Sequence, residues 1–172
     1  MKNLLIAALS LVFISTFGQT ANDRIILHTG EELAVTISGI SESTITYNFP
    51  KETVQYTKSK NSIEEIIFAS GRRTSGSKKI QIGSVGDWQK VMITNNPEDI
   101  EGLSRKGDLY QKSTATTIFS GSQKIDAKAT KKIKEQAACL GAHIIYIQDQ
   151  TSDKGIRRVN RSIKSGVAYA YH

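Results

Sequence analysis

Cysteine is almost missing from this sequence: Cys139 is the only one among 172 residues. That excludes a disulfide framework and any zinc site built on several thiolates. Proline is nearly as scarce, with two residues, and aromatics make up 7% of the chain, so neither a Pro-rich nor a collagen-like protein is possible. Phosphate loops of the G-x-x-x-x-G-K-[ST] and G-x-G-x-x-G types do not occur, nor does a G-x-S-x-G nucleophile element. The three histidines, His28, His143 and His172, lie in separate contexts, so no Ser or Cys nucleophile has an evident base and orienting partner. Glu31, Glu32, Glu64, Glu65, Glu98, Asp99 and Glu101 read as turn or solvent-face acids rather than a catalytic pair. These absences favour a binding or structural protein over an enzyme, with a hydrolase as the alternative they weigh against.

A metal site is opposed by spacing. Among His28, His143, His172 and Cys139, no two stand at a helical interval on one continuous helix; Cys139 and His143 are four apart, but Gly141 interrupts between them. Cys139 therefore reads as a small buried apolar residue and His143 as the entry to a strand. No metal and no cofactor is expected.

The one long apolar run, Leu4 to Phe13, lies in MKNLLIAALSLVFISTFG, behind Lys2 and ahead of the small residues Thr16 and Gly18. Residues 1–18 read as a cleavable secretory signal peptide, since a membrane-spanning helix needs about 20 apolar residues. The only cysteine is far from the cleavage site, which argues against a lipid anchor. The expected destination is the periplasm or the extracellular medium. An outer-membrane barrel is the competing address, given the alternating aromatics of GVAYAYH, but the short strands and a lysine-rich helix oppose it. Lys and Arg outnumber Asp and Glu by 23 to 16, a net charge of +7. In an exported chain such a field points to anionic envelope polymers or an acidic envelope protein, with no nucleic acid expected.

The mature chain divides in two. From residue 22 to 71, Leu33, Val35 and Ile37, then Ile45, Tyr47 and Phe49, alternate with polar neighbours, the period of half-buried strands. With Ile25–Leu27, a strand holding Val54 and Tyr56, and Ile63–Ala69, five short strands predict a small antiparallel domain curled into a barrel. Residues 72–79, RRTSGSKK, read as a solvated connector, in which Arg72, Arg73, Lys78 and Lys79 are available to anionic head groups. Residues 80–172 predict strands at Gln89–Thr94, Gly107–Thr114, Ala142–Gln148 and Ser162–Tyr171, with one helix over Gln123–Leu140. Ile125, Ala129, Ile133, Ala137 and Leu140 form its core-facing stripe, and Gly141 is placed to end it. The fold class is therefore α+β: a barrel-like β domain followed by strand, strand, helix, strand, strand.

Five lysines of that helix, Lys124, Lys128, Lys131, Lys132 and Lys134, fall away from the stripe and are the candidate surface for an anionic partner, which Arg157, Arg158, Arg161 and Lys164 would extend. The C-terminal strand is the expected edge for self-pairing.

The run AKATKKIKEQAACLGAHIIYIQ, residues 127–148, resembles the helix-to-strand unit of the small bacterial heavy-metal-binding domain family, and is similar to the core of the Rcs-type outer-membrane stress-sensor lipoproteins. Ala129, Ala137, Ala138, Gly141 and Ala142 carry the likeness, and VMITNNPEDIEGLSRKGDLYQKS is similar to the opening strands of those domains. The N-terminal part loosely resembles SH3-like or Sm-like barrels. The resemblance implies an α+β fold and, in some relatives, ring-like self-association, with metal binding or envelope stress sensing as the alternative to a plain binding or scaffolding role. The stress sensors' several cysteines and their lipidation cysteine have no counterpart in this chain.

Overall fold

The computed structural model describes residues 22–114, 122–154 and 160–171; the predicted signal peptide, Arg157, Arg158 and His172 lie outside them. The N-terminal half is a six-stranded sheet of β1 (Asp23–Leu27), β2 (Glu32–Ile40), β3 (Thr44–Asn48), β4 (Tyr56–Ser59), β5 (Ile63–Ile67) and β6 (Arg73–Ser75), in the order β4-β3-β2-β1-β5-β6 with every neighbour antiparallel. Alternation along the strands turns Ile25, Val35, Ile45, Tyr47, Ile63 and Ile66 into one apolar cluster. Asp23 ties the sheet across its middle: its carboxylate accepts the N–H of Ile37 at 3.0 Å and of Ala69 at 2.8 Å.

The sheet does not close. β4 and β6 stand at opposite ends of the strand order, so the expected barrel is corrected to an open, bent sheet, with the irregular β2–β3 register between Ile37 and Gly39 marking a bend. Val54 lies outside β4 and is exposed. The connector is corrected as well. Arg73–Ser75 forms edge strand β6, and the ladder continues through Gly76 N–H to Glu64 O and Ser77 N–H to Ile63 O, both 2.9 Å. All three β6 residues are exposed, so no apolar pattern announced the strand. The close approach requires glycine at position 76, where a Cβ would fall 2.1 Å from the Ile63 carbonyl oxygen. Gly76→Ala is expected to cost about 1–2 kcal/mol by forcing the backbones apart; an unchanged urea midpoint would contradict that close approach.

The C-terminal half follows the predicted order: β7 (Met92–Thr94), β8 (Ser104–Thr114), α1 (Ser122–Cys139), β9 (Ile144–Lys154) and β10 (Asn160–Ala170), with short 3-10 turns at Val85–Lys90 and Pro97–Ile100. Its sheet runs β7-β9-β10-β8, parallel between β7 and β9 and antiparallel elsewhere. Ile125, Ala129, Ile133 and Ala137 are buried, and alanine along this stripe lets α1 lie close to the strands. The helix stops in a Schellman turn: Gly141 has φ 63°, its N–H reaches Ala138 O, and Ala142 N–H reaches Ala137 O.

Four expectations change in this half. Leu140, placed in the stripe, is 43% exposed, and Ala138 is buried instead. Cys139 is exposed rather than a core residue, since it sits on the outer side of the last turn. β10 is not an edge, because it pairs with β9 on one side and β8 on the other. Lys164 is 4% exposed and paired with Asp126 of α1, so it does not extend a surface patch.

The halves are joined along two seams. Ser59 N–H donates to Glu101 O, while Ser59 Oγ and Asn61 Nδ2 donate to Asp99 O, at 2.9, 2.9 and 3.0 Å. The second seam is aromatic and belongs to the site. No helix among the described residues is long and apolar enough to cross a membrane.

Candidate anion-binding cleft

The segment leaving β6 is held against the first half and forms the floor of an open cleft. Ser77 Oγ donates to Asn61 O at 3.0 Å and lies 3.0 Å from His28 Nε2. A hydroxyl has one proton, so Ser77 accepts from His28 and the neutral imidazole carries its proton on Nε2. His28 Nδ1 is then an acceptor, buried and without a hydrogen-bond partner among the described residues. Lys79 Nζ donates to His28 O at 2.6 Å, which fixes the lysine stem along the junction.

The rings stack across the seam. Tyr171, beyond the end of β10, lies 4.1 Å from the His143 ring, nearly parallel, and 4.9 Å from the tilted His28 ring. Its hydroxyl accepts the Ile80 N–H at 3.0 Å, and its own N–H reaches His143 Nδ1 at 3.4 Å. That contact places the His143 proton on Nε2. Burial holds both histidines below their ordinary pKa; Lys106, Lys79 and His28 add to the effect at His143, whereas Glu64 opposes it at His28. Both imidazoles are therefore neutral at pH 7.

The cleft, about 520 Å³, is walled by Lys78, Lys79, Ile80, Gln81 and Lys90. An adjoining hollow of about 470 Å³ shares Lys79 to Gln81 and Lys90 and reaches Gly83, Asp87 and His143. Lys90 pairs with Asp87 at 2.6 Å. The Asp87 carboxyl is held below its usual range first by that lysine, then by the N–H groups of Gly83 and Ser84. Three lysines thus line the cleft, one carboxylate lines the adjoining hollow, and Lys78 has no hydrogen-bond or ion-pair partner among the described residues. The excess charge and the open shape suit an extended anion.

The helix lysines are less united than their sequence spacing implied. Lys124, Lys128 and Lys132 are exposed and have no ion-pair partner among the described residues. Lys131 lies 5.5 Å over the Trp88 ring and 3.7 Å from Glu135, and Lys134 is half-buried, burial lowering its pKa. The turn at Val85–Lys90 separates this face from the cleft, carrying Trp88 against α1 and Asp87 and Lys90 into the cleft wall. The sequence marks Lys78 and Lys79 as available to anions and His143 only as a metal-ligand candidate or strand entry; it gives no sign of Lys90, whose distance along the chain hides the convergence. Among the described residues no three His, Cys, Asp or Glu side chains cluster to hold a metal. Cys139 and His143 fall on either side of the Schellman turn, one exposed and the other facing the ring stack.

No family model, curated protein or solved structure matches this chain.

Proposed function

We propose that this is an exported binding protein of the cell envelope, without catalytic activity, whose ligand is an anionic envelope polymer seated in the cleft at the junction of its two halves. The observation that carries the reading is the convergence of Lys78, Lys79 and Lys90 on an open groove. A linear polyanion takes its affinity from several ammonium contacts at once and needs no enclosed pocket. The neutral His143, with its proton on Nε2, supplies a directional donor beside the lysines.

Equilibrium binding of a short inorganic polyphosphate, used as the probe, tests this. Lys78→Glu is expected to weaken binding about tenfold at low salt, with the loss shrinking as salt is raised. Lys128→Glu, on the separate helix face, is expected to leave affinity within about twofold. Equal affinity for wild type and Lys78→Glu would remove the cleft from consideration, and a loss confined to Lys128→Glu would move the site to the helix.

A further inference from the structure

The C-terminal sheet ends in a long strand with one open side. Among the described residues, the backbone of β8 pairs only with β10. The opposite edge, β7, is three residues long and offers little to pair with. An eleven-residue edge is a template for another strand unless something blunts it. β8 has no proline and no irregularity between Gly107 and Thr114 in its register with β10.

Its side chains are suited to its own copy. Leu109 faces the helix side and is buried, so Tyr110 faces the other side, where it is 59% exposed. On the helix side, the 43% exposed Leu140 lies over Gly107. Each face of the open edge therefore carries one large uncovered apolar group. Asp108 and Lys112, both exposed, flank Tyr110 symmetrically on its face.

We propose that β8 pairs antiparallel with β8 of a second copy about a two-fold axis passing through Tyr110. In this register Asp108 stands opposite Lys112 of the second copy, and the symmetry repeats that pair. The two Tyr110 rings meet at the axis. Opposite charges and aromatic pairs directly across an antiparallel ladder are stabilising, and like charges are not. Within the regular stretch from Gly107 to Thr114 only this axis sets Asp108 against Lys112, whereas an axis through Asp108 would oppose two aspartates and one through Lys112 two lysines, so the charges favour this register. An axis normal to the sheet keeps both helices on one side and produces a continuous eight-stranded sheet from two four-stranded ones. The contact is isologous and closes at two copies. It does not depend on the anion-binding reading, since neither Tyr110 nor Asp108 lines the cleft.

Light scattering behind size exclusion, run across a dilution series of the purified protein, is the test. The expected species is a dimer that dissociates on dilution. Asp108→Lys and Lys112→Glu each place like charges across the axis twice and are expected to weaken the dimer about tenfold, while the double variant, with the charges exchanged, returns to within about threefold of wild type. The residues are exposed, so circular dichroism of each variant is expected to match wild type. A protein that stays monomeric at every concentration overturns the proposal, as does a dimer or larger assembly whose stability ignores both single variants or is not rescued by the exchange.

Discussion

Asp126→Ala is expected to lower the stability of the protein by about 3 kcal/mol, a larger loss than truncating a side chain of that size would cause on the surface. The reason is what it strands. Lys164 Nζ lies 3.0 Å from Asp126 Oδ1, and Ser162 Oγ donates to the same oxygen at 2.9 Å. The lysine side chain is 5% exposed and that of the aspartate 36%, so the ammonium is sealed between β10 and α1 while its partner touches water. Removing the carboxylate leaves a buried charge with no counter-ion, and also takes the partner from the fully buried Ser162. Partial hydration around Asp126 keeps the figure below the extreme for sealed pairs. The double variant Asp126→Leu with Lys164→Met is expected to recover most of the loss, because no charge then remains to be solvated. Urea unfolding of the three proteins decides it: a single-variant loss under about 1 kcal/mol would mean that Lys164 escapes to solvent without strain.

Tyr171→Ala is the second large effect, about 2–3 kcal/mol. This ring touches both His28 and His143, and its hydroxyl takes the Ile80 N–H, so one truncation opens the aromatic seam between the halves. Tyr171→Phe retains the ring and is expected to lose only about 1 kcal/mol, the net worth of the hydrogen bond. Broadening of the unfolding transition in Tyr171→Ala but not in Tyr171→Phe would identify the ring as the coupling element. If both variants unfold like wild type, the seam carries little stability.

The same seam gives stability a pH dependence of definite sign. Burial lowers the pKa of His28 and His143 below 6.5 in the folded protein. Between the folded and unfolded values the unfolded chain binds more protons, so stability rises with pH there. The contribution is fully present above about pH 6.5 and is lost as the pH falls towards the depressed folded values. Glu64 favours the charged form of His28, whereas Lys79 and Lys106 oppose a charge on His143. A loss of stability on acidification that His143→Gln reduces would agree with this; a profile unchanged by that substitution would contradict it.

Helix α1 was legible because its signals are local. The stripe from Ile125 to Ala137, the lysines facing away, and Gly141 as terminator each depend on neighbours a few residues distant. The strands containing Val35 and Ile45 were legible for the same reason. β6 was not, because an exposed edge strand requires a backbone partner and no particular side chain. Lys164 read as surface charge because lysine is rarely buried, and only the arrival of Asp126 from the helix makes its burial tolerable.

The sequence alone determined the α+β class, the strand and helix order of the C-terminal half, and the excess of positive charge, all of which follow from periodicity and composition. Tertiary structure decided that the N-terminal sheet stays open, that β8 rather than β10 is the free edge, and that Lys78, Lys79, Lys90 and His143 share one cleft. Those outcomes depend on which strands become neighbours and on where distant segments meet, and pairing across long separations is set by the packing of the whole chain rather than by any local pattern.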